Sequence, residues 1–194
     1  MRAVTIYTEQ SPNPNSLKFV ANFYLLENEN IDFPSVDSTE NAPIAKALFE
    51  NFNFVQRVFI ASNYITLTKD DKTDWYEVIP KIKTFISDYL KEEKPLFTDG
   101  IENEITQKSK PSMSKHSVIE NKIKSLLDDY VRPAVESDGG AISFHSYDDG
   151  VVKVLLQGSC SGCPSSTVTL KSGIENLLKR MMPDEVKEVV AEGV

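Results

Sequence analysis

The sequence predicts an α/β protein of the α+β type, in two small domains that each pack a short sheet against helices and are joined by a flexible linker. Three observations point there. Short runs of alternating apolar residues bounded by Asn, Asp, Gly and Pro mark strands, and apolar residues three and four apart mark helices. Both patterns occur in each half of the chain. Between the halves, residues 95–117 lose periodicity and mix Lys, Glu, Ser and Thr with two prolines. The expected boundaries are therefore 1–94, a linker over 95–117, and 118–194, and 194 residues suffice for two units of this size.

Val4 and Ile6, then Leu17 and Phe19, predict two strands joined through the turn-rich Ser11-Pro12-Asn13-Pro14-Asn15. Residues 42–51 predict a helix, with Asn41 as N-cap, Pro43 tolerated in the first turn, and Ile44, Ala47 and Leu48 on one face. Residues 54–61 and 64–69 predict a hairpin around Ser62-Asn63. Asp74 and Glu77 have capping-box spacing, and Val78, Ile82, Phe85, Ile86 and Tyr89 continue an apolar helical face. In the linker, Leu96 and Phe97 are expected to pack back on the first domain.

In the second half, Ile119, Ile123, Leu126, Leu127, Tyr130 and Val131 predict an amphipathic helix that Pro133 kinks or ends. Asp138-Gly139-Gly140 predicts a turn. Residues 141–146 and 151–157 predict a hairpin across Asp149-Gly150. Residues 165–182 predict a helix carrying Val168, Leu170, Ile174, Leu177 and Leu178, and Val186, Val189 and Val190 a last strand.

Net charge is −8, which argues against nucleic acid or an anionic membrane as partner, and no apolar run is long enough to span a bilayer. Two cysteines are too few for a disulfide-built secreted fold. Residues 1–9 alternate like a strand and meet an acidic residue early, unlike a targeting peptide, so the expected compartment is the cytoplasm. No paired carboxylates, phosphate loop or Ser-His-Asp grouping stands out, and the chain is not expected to be an enzyme.

Both cysteines lie in Gly158-Ser159-Cys160-Ser161-Gly162-Cys163-Pro164. Pro164 is a natural first residue of a helix, which places the loop where unpaired N–H groups and the positive dipole end favour thiolate. Two thiols cannot fill a four-thiolate centre alone. The plainest reading, two small buried cysteines packing at a loop, is disfavoured because the Gly, Ser and Pro around them do not make an apolar core. Otherwise the pair does thiol–disulfide chemistry by itself, or two chains supply half a metal site each across a two-fold axis. Spacing alone leaves both open, with zinc as a further candidate for the shared metal.

Residues 156–171, from Leu156-Gln157-Gly158 through Thr169-Leu170-Lys171, closely resemble the C-terminal domain of the NifU and Nfu family of iron–sulfur cluster scaffold and carrier proteins. Arg132-Pro133-Ala134-Val135-Glu136-Ser137-Asp138-Gly139-Gly140 is similar to the segment preceding the hairpin in that family. Pro12-Asn13-Pro14-Asn15-Ser16-Leu17-Lys18-Phe19, with Pro43-Ile44-Ala45-Lys46-Ala47-Leu48-Phe49, resembles the Nfu N-terminal domain. The resemblance implies that Cys160 and Cys163 bind a [4Fe–4S] cluster bridging a homodimer. It also implies partners: upstream cluster-assembly proteins and apo iron–sulfur clients to which the cluster passes. One departure is Ala141, where the family usually has a polar or acidic residue.

A carrier of this kind needs a detachable coordination shell, and two ligands per chain on a solvent-facing loop are expected to supply it. The remaining candidates have plainer readings. Asp138-Gly139-Gly140 is expected to serve backbone geometry more than the cluster, and His145 to be structural rather than a ligand. His116 is expected to be solvated. Arg132 and Lys153 are weighed equally as balancing cluster charge or sitting on the surface. The first half has no cysteine or histidine and hence no such site of its own.

Overall fold

The computed structural model describes residues 3–27, 29–98, 115–161 and 164–193, and the side chains among these except residues 115–117 and 164–167. The chain divides into two compact units, Met1–Lys108 and Ser109–Val194. Each has its own sheet and apolar core, a mixed α/β architecture.

In the first unit the elements are β1 (Ile6–Gln10), β2 (Ser16–Ala21), β3 (Asn30–Phe33), α1 (Pro43–Asn51), β4 (Val55–Ala61), β5 (Tyr64–Lys69) and α2 (Trp75–Lys91). The strands form an antiparallel sheet in the order β1-β2-β5-β4-β3. Alternate residues Leu17, Phe19 and Ala21 of β2 share the core with Ile44 and Leu48 of α1 and Val78, Ile82, Ile86 and Leu90 of α2. The four-residue steps of α2 keep those side chains on one face, and full burial of each large aliphatic contributes about 1.5–3 kcal/mol. Asp74 caps α2 by accepting the Tyr76 N–H at 2.9 Å.

Two local expectations change. The N-cap of α1 is Ala42, not Asn41. The Asn41 carbonyl instead accepts the Thr98 N–H at 3.0 Å, securing the segment in which Leu96 and Phe97 pack against the first core, as expected. Strand β3 carries only two apolar residues and no alternation long enough to announce it. It is held as an edge by four pairings to β4 and by Asp32 accepting from Arg57 at 2.6 Å. Of the expected linker 95–117, residues 99–114, and with them most of that segment, lie outside the described residues, as does the His116 side chain.

The second unit contains α3 (Lys115–Leu126), a π-turn (Leu127–Val131), α4 (Arg132–Ser137), β6 (Gly140–Asp148), β7 (Val151–Gly158), α5 (Pro164–Met181) and β8 (Glu188–Gly193). β6 and β7 are an antiparallel hairpin, and β8 lies parallel to β7 after the α5 crossover. The hairpin turn has φ 44° at Asp149 and 89° at Gly150, the doubly left-handed geometry that Asp-Gly supplies. The expected helix does kink before Pro133, but through the π-turn. The extra residue carries the buried face from Leu126 to Val131 and swings Tyr130 out to 61% exposure, so Tyr130 is not core. Val168 is likewise exposed, whereas Ile174 and Leu178 are buried as expected. Among the described residues no helix is long and apolar enough to cross a membrane.

Candidate functional site

The end of β7, the start of β6 and the C-terminus of α4 meet at Cys160. α4 closes on Asp138, whose N–H donates to the Ala134 carbonyl at 3.1 Å, and Gly139 follows at φ 84° with its N–H on the Glu136 carbonyl at 3.0 Å. That left-handed residue lets the chain reverse from helix into strand. Gly140 then opens β6 opposite Gly158, the last residue of β7. Gly158 has φ 65°, so the backbone leaves the sheet abruptly, and the Ser161 N–H closes the turn on the Gly158 carbonyl at 3.1 Å.

Two strand ends bound by glycine thus bring the 138–140 turn onto the cysteine loop. The Ser159 N–H points to the Gly139 carbonyl at 3.4 Å, and the Ser159 hydroxyl donates to the Asp138 carbonyl at 2.6 Å. Ser159 Oγ also lies 3.8 Å from Cys160 Sγ. Its proton is committed to a carbonyl, which can only accept, so in this contact the thiol donates to the serine oxygen. Gly140 is the close neighbour on the other side: a Cβ there would stand 2.9 Å from Cys160 Sγ and 2.6 Å from the Gln157 carbonyl oxygen. Cys160 is 6% exposed and belongs to the same apolar cluster as Ile142, Leu156 and Ile174.

The solvent-facing position expected for the loop is therefore not the one Cys160 occupies. The left-handed turn at Gly158 carries Cys160 back over the sheet end, against Gly140, rather than out. Cys163 and Gly162 lie outside the described residues; the helix expected over 165–182 runs Pro164–Met181, with Pro164 as its first residue. Among the described residues no three His, Cys, Asp or Glu side chains gather as a metal site.

The structure sets two other candidates apart from Cys160 and gives a third an ion pair. His145 is exposed at the β6 bulge, where pairing shifts between Phe144 and Ser146. Lys153 is exposed on β7 five residues before Gly158, about 17 Å along the strand at the usual rise, too far to balance charge at the loop. Arg132 pairs with Asp128 one helical turn back at 2.5 Å. Ser159 is the neighbour that residue-by-residue reading passed over; the 138–140 turn serves backbone geometry as expected, and its Gly140 also makes room for the sulfur. Glycine at both strand ends was the available signal.

The comparisons with known proteins agree across both units. Residues 6–93 match the family model described as scaffold protein Nfu/NifU N terminal, and residues 123–190 match that of the NifU-like domain. The chain is 40% identical over 184 residues to the mitochondrial NFU1 iron-sulfur cluster scaffold homolog of Drosophila willistoni, covering 94% of this chain and 62% of that protein. It is 40% identical over 193 residues to the mitochondrial NifU-like protein 4 of Arabidopsis thaliana, covering 98% and 67%. With the mitochondrial NFU1 homolog of Homo sapiens identity is 37% over 185 residues, covering 95% and 70%. The chain thus spans roughly two thirds of these relatives' length. Their names overturn the cytoplasmic expectation, since each relative is named mitochondrial. An isolated cysteine pair bears on reducing against oxidising compartments, not on one reducing compartment against another.

Proposed function

Because this chain belongs to the Nfu/NifU-like family, we propose that it is a mitochondrial iron–sulfur cluster scaffold and carrier whose cargo is a [4Fe–4S] cluster held on Cys160 and Cys163 of two protomers. The observation that carries this reading is the join of a paired-cysteine loop to family matches that cover both units. A cubane takes four thiolates and one chain offers two, so a second copy completes the shell. The units are taken as an N-terminal domain over 1–94, a linker over 95–117 and the cluster-binding domain over 118–194.

Within this reading the chain is not an enzyme. It holds its cargo by half a shell per protomer, and incoming client thiolates displace the cysteines one at a time, so that dimer separation and transfer to an apo-protein are linked. Pro164 starts α5 directly after Cys163, and the N-terminal N–H groups of that helix favour the negative charge of a thiolate-bound cluster. The partners are upstream assembly proteins and apo iron–sulfur clients. The acidic surface and lack of a basic cluster leave nucleic acid out.

Anaerobic reconstitution with iron and sulfide tests the proposal. A carrier gains a brown cluster that activates an apo iron–sulfur enzyme. Metal-free turnover of dithiol substrates would identify an oxidoreductase instead, and tightly held colourless metal a zinc-bridged structural dimer.

A further inference from the structure

Cys160 is enclosed by its own protomer. It is 6% exposed, packed in the apolar cluster of the second unit, with Ser159 at 3.8 Å on one side and the bare Cα of Gly140 on the other. The wall around it is the 138–140 turn, fastened to the loop by the Ser159 hydroxyl on the Asp138 carbonyl at 2.6 Å and the Ser159 N–H on the Gly139 carbonyl. Ser159 is itself 2% exposed, so its hydroxyl has little water to exchange for that carbonyl. A ligand shared with a second chain has to reach past its own protomer's surface. The stowed position of Cys160 and the cluster-bound one are therefore different positions.

We propose that Ser159 and Gly140 are positioning residues that latch Cys160 in a stowed state, and that release of the Ser159–Asp138 hydrogen bond presents its thiol. Gly140 supplies the space that the sulfur fills, and Ser159 supplies the bond that keeps the loop against the turn. The device would protect an unloaded thiol from oxidation and adventitious metal until the loop opens. The released position and its link to cluster loading rest on the function proposed above; the enclosure of Cys160 is read from the protein without cargo.

The test uses the full chain carrying Cys163→Ser, which leaves Cys160 as its sole thiol, and follows alkylation by iodoacetamide in native buffer and in urea. The native rate is expected to be at least about tenfold below the urea rate, as for a group reached through local opening. Adding Ser159→Ala is expected to raise the native rate roughly fivefold, the loss of one typical net hydrogen bond, with the urea rate unchanged. Gly140→Ala, by displacing the sulfur, is expected to raise the native rate as well, so the proposal does not depend on one variant folding. Equal native and urea rates for the parent, or parent-like native rates in both variants, would overturn it. With both cysteines present, Ser159→Ala should raise the initial rate of cluster uptake by a similar factor. Faster alkylation with unchanged uptake would overturn the link to loading. Failure of the wild type to take up any cluster would instead overturn the proposed function and leave the alkylation result standing.

Discussion

Two glycine-to-alanine changes in the same unit are expected to move stability in opposite directions. At position 140 the new Cβ would stand 2.6 Å from the Gln157 carbonyl oxygen and 2.9 Å from Cys160 Sγ, where non-bonded contacts settle nearer 3.5–4.0 Å for carbon. Gln157 cannot retreat freely, because it is paired with Ala141 across the β6–β7 ladder, and the sulfur is enclosed by the core. Overpacking of this kind costs about 1–3 kcal/mol. In a unit of this size each kcal/mol lowers the melting temperature by about 4–8 °C, so Gly140→Ala should melt about 4–24 °C early. At Gly173, on the exposed side of α5, a Cβ meets nothing within 4 Å. Gly173→Ala should therefore stabilise by about 0.4–1 kcal/mol, through the smaller entropy of the unfolded chain. Scanning calorimetry of the two variants beside the wild type reads both effects. A Gly140→Ala protein that melts with or above the wild type would refute the close-approach reasoning.

Further outcomes follow from the polar contacts. Glu175 accepts from Lys179 and from the Val189 N–H at 3.1 Å, tying α5 to β8, and these bonds, the lysine's first, hold its carboxyl below the ordinary glutamate value. A depressed folded-state pKa contributes stability above the unfolded value that is lost as pH falls through the folded one. The stability gap between wild type and Glu175→Gln should thus be full at neutral pH and close in acid below the ordinary glutamate range; a gap that widens there would contradict the assignment. In the first unit, Asp32→Ala leaves Arg57, whose side chain is only 17% exposed, without its 2.6 Å partner. That should destabilise by about 3–5 kcal/mol in urea melts, and a loss under 1 kcal/mol would show that water already screens the pair.

Most of the fold was legible because long periodic segments and glycine-bounded turns announce themselves. The four-residue steps of Val78, Ile82 and Ile86 and the Asp149-Gly150 turn appear as the residues dictate. What escaped depends on pairing between distant residues. β3 has too few apolar residues to be seen without β4 beside it. Tyr130 fits an unbroken α-helical face and leaves it only because the π-turn adds a residue. The paired cysteines stood out in the sequence, but the enclosure of Cys160 depends on Gly140 and Asp138, about twenty residues away and adjacent only once the hairpin closes. The cytoplasmic expectation drawn from the first residues fell to the relatives' names, each of which says mitochondrial.

The central claim is that the competent site is made by two chains. Native mass spectrometry of the anaerobically reconstituted protein, with iron and sulfide counted on the same sample, tests it most directly. The account predicts one [4Fe–4S] cluster per two chains in the wild type, with Cys160→Ser and Cys163→Ser each failing to hold it. A cluster-loaded single chain with no outside thiol bound, or a cluster retained after loss of either cysteine, would contradict it.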